Sequence, residues 1–157
     1  MTGDLSIRPY QPSDAADLSA LYEASVRALG ARDYSANQID AWASLTPSSE
    51  SLEARMNDGR MRLVAVMDEV AGFVDIEADG HIDLLYVAPA KAGQGVSRLL
   101  LETAEALAPL LGAGRLYAEA SETARPVFER LGYSVVGRRD FDIAGTSIHN
   151  WAVEKTL

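Results

Sequence analysis

The run Lys91-Ala92-Gly93-Gln94-Gly95-Val96-Ser97-Arg98 has the residue types and spacing of a turn that holds a ligand. Its two glycines let the main chain come close to a guest, and a helical apolar pattern starts directly after them. The first N–H groups of a helix lack intrahelical acceptors, so this start favours an anion, and a phosphate is the expected one. A nucleotide-hydrolase loop would need Gly-Lys followed by Ser or Thr, which is missing here, and Arg98 stands where a dinucleotide-binding turn would carry its third glycine. Both nucleotide readings are therefore set aside, and the plain alternative is a tight turn into a helix.

The elements that must position this turn read as follows. Leu5 to Arg8 alternates and ends at Pro9, which suits a first strand. A helix follows from an N-cap at Ser13, with Leu18, Leu21, Tyr22, Val26 and Leu29 at helical spacing, and stops at Gly30. Ser35 and Gln38 have capping-box form and open a second helix carrying Ile39, Ala41 and Trp42. Ser48 or Ser49 caps a third, ending at Asn57-Asp58-Gly59. The period then drops to two in Met61 to Met67, Val70 to Glu77 and His81 to Val87, joined at Asp68-Glu69 and Asp79-Gly80, so a central antiparallel meander is expected. Val96 to Leu111 reads as a long helix facing inward with Leu99, Leu100, Thr103 and Leu107. Leu116 to Ala120 reads as a buried strand and Thr123 to Leu131 as a helix. A last hairpin, Ser134 to Phe141 with Ser147 to Val153, turns at Ala144-Gly145. This order predicts an α+β fold, one domain over residues 1–157, with a mixed, mostly antiparallel sheet of about seven strands flanked by helices.

Composition narrows the partners. The chain has 157 residues and a formal charge of −9, with no Lys or Arg block, which disfavours nucleic acid and an anionic membrane surface. It has no Cys, so disulfides, thiolate metal sites and Cys nucleophiles are excluded, and no metal is expected. Met1 to Ile7 lacks the charged and apolar parts of a signal peptide, and no run reaches membrane-spanning length, so a cytoplasmic protein is expected. The excess acidity favours a cationic small molecule over an anionic one.

The stretch from Leu84 to Leu100 resembles the acetyl-CoA-binding motif of the GNAT superfamily of N-acetyltransferases, whose strand ends in Val-x-Pro, here Val87-Ala88-Pro89, before the glycine turn. The order of elements agrees with that family along the whole chain. Ala124 to Tyr133 resembles the segment before its last two strands, and Tyr22 to Trp42 resembles an uncharacterised bacterial branch. Ala92 and Ser97 depart from the pattern, at its Gln or Arg position and its final Gly or Ala position.

The resemblance implies direct acetyl transfer from acetyl-CoA to a primary amine, with a small-molecule acceptor first. A protein N-terminus or lysine, or a non-catalytic acyl-CoA-binding module, are the alternatives. It also implies that Leu85 and Val87 pair with the pantetheine arm, the Leu85 N–H facing the thioester oxygen. The turn amides from Lys91 to Arg98 would hold the pyrophosphate, with Lys91, Arg98 or Arg125 adding charge. Ser121 falls at the family's usual Asn position, and Phe128 at its usual Tyr position, where no proton can be given; Tyr133 is a further hydroxyl. The general base is expected at His81 or Asp83, which share a strand face with Leu85 by the period of two. His81 comes first because an unperturbed imidazole titrates near neutrality. Asp75, Glu77 and Glu119 are reserves or acceptor contacts, and Tyr34, Trp42, His149 and Asn150 complete the acceptor side. The same reading leaves room for a homodimer.

Overall fold

A computed structural model describes residues 3–157, so Met1 and Thr2 of the N-terminal reading lie outside it. Seven strands form one sheet in the order β1-β2-β3-β4-β5-β7-β6: β1 Ser6–Pro9, β2 Met61–Met67, β3 Glu69–Ile76, β4 His81–Val87, β5 Arg115–Ala120, β6 Ser134–Ile143 and β7 Thr146–Thr156. All neighbours are antiparallel except β4 and β5. The helices are α1 Ala15–Leu29, α2 Ala36–Ala43, α3 Ser49–Arg55, α4 Val96–Leu107 and α5 Arg125–Arg130. The α+β expectation holds.

Local chemistry explains most boundaries. The Ser35–Gln38 capping box at the start of α2 forms in both directions, and Ser48 caps α3. The first helix is entered differently from the sequence reading. Gln11 and Asp14 make the capping box of a 3-10 turn over Pro12–Asp14, and α1 begins at Ala15 rather than after a cap at Ser13. The last hairpin turns through Ala144 and Gly145, both at positive φ, as a two-residue turn matched to strand twist requires.

Apolar residues pack on both faces of the sheet. One cluster joins Leu100, Leu101 and Ala104 of α4 and Phe128 of α5 to the sheet, and the other joins Leu18 and Val26 of α1, Ile39 of α2 and Leu52 of α3. Burying a Leu or Phe side chain fully contributes about 1.5–3 kcal/mol, so these two layers carry the fold. The inward face of α4 differs from the expected one: Leu100, Leu101 and Ala104 are buried, while Leu99, Thr103 and Leu107 are only partly so, and α4 gives way to a 3-10 turn at Ala108–Leu111. Pro109 cannot continue an α-helical ladder.

Two departures from regular pairing shape the centre. Along β3 and β4, Asp75 faces Leu84 but Ile76 faces Ile82, so Asp83 is an extra, bulged residue. Ile82, Leu85 and Val87 accordingly pack in the α4–α5 layer, and Leu84 and Tyr86 in the α1–α3 layer. The bulge thus breaks the period of two, and His81 and Asp83 do not share a face with Leu85. The second departure lies between β4 and β5, which pair only at His81↔Tyr117 and Ile82↔Ala118 and then diverge.

Candidate acetyl-transfer site

The divergence of β4 from β5 leaves backbone donors unclaimed. The Ala88 N–H donates to Ala71 O, which fixes the alternation of the antiparallel β3–β4 ladder. Val87 opposite Gly72 and Leu85 opposite Val74 are then the non-bonded pairs, so their N–H and C=O groups point into the gap. Pro89 opens a 3-10 turn to Lys91, and the chain passes Gly93 at φ 76° and Gly95 at φ 84° before α4 starts. A Cβ at either glycine would meet nothing within 4 Å, so these glycines serve backbone shape at an open surface. The first α-helical bond of α4 runs from the Leu99 N–H to Gly95 O, which leaves the Val96, Ser97 and Arg98 amides free of intrahelical acceptors.

A cleft of about 860 Å³ connects this turn, through the gap, to the opposite side of the sheet. Leu85, Val87, Lys91, Ala92, Gly93, Gly95, Val96, Ser97, Arg98, Ser121 and Phe128 line it as expected. Gln94 does not: its side-chain amide folds back and donates to Ala90 O at 3.2 Å. Nor does Arg125, whose guanidinium lies over the Trp151 ring, 4.4 Å from its centre, and 3.4 Å from Glu122. Positive charge at that end comes instead from Lys91, Arg98 and Arg130. Arg130 was missed because a cation in the last turn of a short helix reads as an ordinary C-terminal charge. Phe128 is buried and packs edge-on against Tyr133, 5.0 Å between ring centres. The Tyr133 hydroxyl is buried outside the cleft with no hydrogen-bond partner among the described residues, and burial raises its pKa, which argues against it as an acid for the reaction.

On the far side, Asp83, Glu119, Tyr34, Trp42, His149 and Asn150 line the cleft, and Asp75, Glu77 and His81 do not. Asp75 is fully buried, with Arg62 Nε 2.5 Å from Oδ1 and Arg60 Nη1 2.9 Å from Oδ2. It is a structural ion, not an acceptor contact. His81 lies between two carboxylates, with Nδ1 2.6 Å from Glu77 and Nε2 2.9 Å from Glu119. Those hydrogen bonds, Glu119 foremost, raise its pKa to about 9 despite burial. At neutral pH the ring is an imidazolium and not the free base expected from sequence. The same contact lowers the Glu119 pKa and keeps it ionised. Glu77, His81 and Asp83 bring ligand atoms within 4.8 Å of one another, but Arg60, 2.9 Å from Asp83 and 3.9 Å from Glu77, already supplies the cation there.

Tyr34 proves to be a tie as well as a wall. Its hydroxyl donates to His149 O and accepts from the Glu122 N–H, both at 2.8 Å. Thr123 donates to Asp33 at 2.8 Å, and Gln38 donates from its amide to Ser147 O at 3.1 Å. The segment leading into α2 is thereby fastened to β7 and to the loop after β5.

The sequence model of the acetyltransferase (GNAT) domain matches residues 30–155. The chain belongs to the GNAT family of N-acetyltransferases. It is 29% identical over 149 residues to the uncharacterised N-acetyltransferase YafP of Escherichia coli K12, covering 94% of this chain and 93% of that one. A GCN5-related N-acetyltransferase from Rhodopseudomonas palustris matches with a TM-score of 0.89 and 35% identity, over 100% of this chain and 98% of that chain. The fold also matches PaiA N-acetyltransferase of Thermoplasma acidophilum, solved with coenzyme A, at a TM-score of 0.78 and 19% identity, over 98% and 99% of the two chains.

Proposed function

We propose that this GNAT protein transfers the acetyl group of acetyl-CoA directly to the primary amine of a small molecule. The observation that carries the reading is the single cleft running from the open amides at the start of α4, past Leu85 and Val87, to the carboxylate of Glu119. The pyrophosphate would rest on the amides between Gly93 and Arg98, with Lys91, Arg98 and Arg130 adding charge. The pantetheine arm would pair with the gap-facing groups of Val87 and Leu85 as an added strand does. This leaves the Leu85 N–H at the thioester oxygen, where negative charge develops as the amine attacks. One such donor is worth about 3–4 kcal/mol of barrier.

An amine of pKa near 10 is almost wholly protonated at neutral pH, a cost of about 4 kcal/mol. Glu119 is the ionised carboxylate that both lines the cleft and contacts His81. The small neutral fraction, its first proton left to solvent, attacks the thioester; as the N–C bond forms the nitrogen becomes acidic and gives its second proton to Glu119, directly or through water. The C–S bond then breaks, and the thiol's ordinary pKa of about 8.5 lets CoA depart as thiolate without a donor at Phe128.

The ties made by Tyr34, Gln38 and Thr123 favour a small acceptor, because they fasten the segment before α2 to β7 and the loop after β5, beside the acceptor half of the cleft. Calorimetry with acetyl-CoA, followed by thiol release across a panel of amines, tests the reading. Binding with release on small amines supports it. No binding at millimolar acetyl-CoA overturns it, and release only with peptides moves the acceptor to the protein class.

A further inference from the structure

The acceptor half of the cleft is less acidic than the chain as a whole: Arg32 and Arg139 line it in equal number with Asp83 and Glu119. Each of its two carboxylates has a cationic neighbour, though one shared with other acids. Asp83 Oδ2 lies 2.9 Å from Arg60 Nη1 and 3.6 Å from Arg55 Nη1, and Glu119 lies 2.9 Å from His81 Nε2. Arg139 lines the same space and has no such match. Its Nη1 donates to the neutral Asn150 Oδ1 at 2.8 Å, and its guanidinium lies 5.3 Å from the centre of the Phe141 ring. Among the described residues, no carboxylate is within ion-pair distance of it, and the same is true of Arg32, which also lines the cleft. The overall excess of acid over base therefore misleads about the site.

Position supports a recognition role. Arg139 faces Asn150 across β6 and β7, and Glu119 faces Ala152 across β5 and β7, two residues further along β7 and on the same face. The Arg139 charge is felt at Glu119, where it helps to lower the carboxyl pKa. Asn150 and the Phe141 ring fix the guanidinium, so its remaining N–H groups keep the planar fork that matches a carboxylate.

We infer that the acceptor is an amine that also bears a carboxylate, an amino acid, with the carboxylate on Arg139 and the amine on the Glu119 side. This rests on the acetyl-transfer reading above. Arg139 is exposed and solvated, but a guanidinium without an ion-pair partner at a substrate wall still disfavours a dicationic polyamine and gains most from an anion, through charge-assisted hydrogen bonds.

The test uses matched sets: an L-amino acid, its carboxamide, and the amine left by decarboxylation, each followed by CoA release with the full chain. Wild-type protein should prefer the free acid. In Arg139→Gln the ratio of kcat/KM for acid over decarboxylated amine should fall about 10- to 100-fold, mainly through KM, and Arg139→Lys should restore part of it. Taking the ratio cancels the differing basicity of the amines. A wild-type enzyme that prefers the decarboxylated amine, an unchanged ratio in Arg139→Gln, or no turnover of any amino acid overturns the inference. Any of these with acetyl-CoA binding intact in calorimetry leaves the acetyl-transfer reading standing. Loss of that binding would instead sink the reading itself.

Discussion

Arg60 Nη1 lies 2.9 Å from Oδ2 of Asp83 and equally close to Oδ2 of Asp75, so one guanidinium joins the bulge of β4 to the neighbouring strand β3. The Arg60 side chain is 5% exposed and Asp75 is 0%. A bulge leaves its extra residue without a ladder partner, and here that residue is held through its side chain instead. The network continues from Asp75 to Arg62 and on to Leu52 O.

Arg60→Ala is expected to free Asp83 and to take one donor from Asp75, which keeps Arg62 on both of its oxygens. Losing a hydrogen bond to a buried charged group costs about 1.5–3 kcal/mol. Urea unfolding measures this. A loss below about 1 kcal/mol would show that the network does not hold the bulge.

The pH dependence of stability follows from His81, whose pKa is raised from 6.5 to about 9. A proton held more tightly in the folded state adds stability in full below pH 6.5, and the gain disappears as pH rises to 9. The urea midpoint should therefore fall between pH 6 and pH 9, and His81→Gln should flatten this fall. Parallel profiles for the two proteins would mean that the imidazolium is not bridging Glu77 and Glu119.

Gly72 faces the start of α4. A Cβ there would lie 2.8 Å from Tyr86 O and 2.9 Å from Val96 Cγ1, and Val96 is the first residue of α4. Gly72→Ala should push the helix start off the sheet and weaken acetyl-CoA binding about tenfold, at a cost of about 1–3 kcal/mol in stability. Gly95→Ala is the contrasting change. Its φ is 84° with open space around it, so only the backbone conformation is penalised, by about 1–2 kcal/mol. Calorimetry on both variants separates the two causes, and equal wild-type affinity in both would contradict the placement of the pyrophosphate.

Removing the Tyr34 hydroxyl strands two main-chain groups, His149 O and the Glu122 N–H. Tyr34→Phe should cost about 1–3 kcal/mol and raise the acceptor KM more than that of acetyl-CoA. An equal rise in both would indicate general loosening rather than an opened acceptor wall.

Much of this was legible in the sequence. Alternation between Met61 and Val87 marked the meander, Ser35 with Gln38 marked the start of α2, and Gly93 with Gly95 marked the turn into α4. What was hidden depended on contacts between distant residues. Nothing local distinguishes Asp83 as an inserted residue, because a bulge is a fact about register with β3. His81 looked like a free imidazole because Glu119, which fixes its charge, is 38 residues away. Asp75 looked like a reserve base or an acceptor contact because its partners, Arg60 and Arg62, precede the strand that carries it. Arg139 stands beside Arg138 in the last hairpin, where nothing local sets it apart.

The donors offered in the gap between β4 and β5 belong to the main chain of Leu85 and Val87, so of all substitutions at either site only proline deletes them. A different aliphatic side chain at either site would alter packing and leave the amide where it is. The groups proposed to select the acceptor, Arg139, Asn150 and Trp42, are ordinary side chains on exposed or half-exposed ground, each replaceable in one step. A lineage built on this frame can therefore exchange one acceptor for another while the transfer chemistry stays inherited.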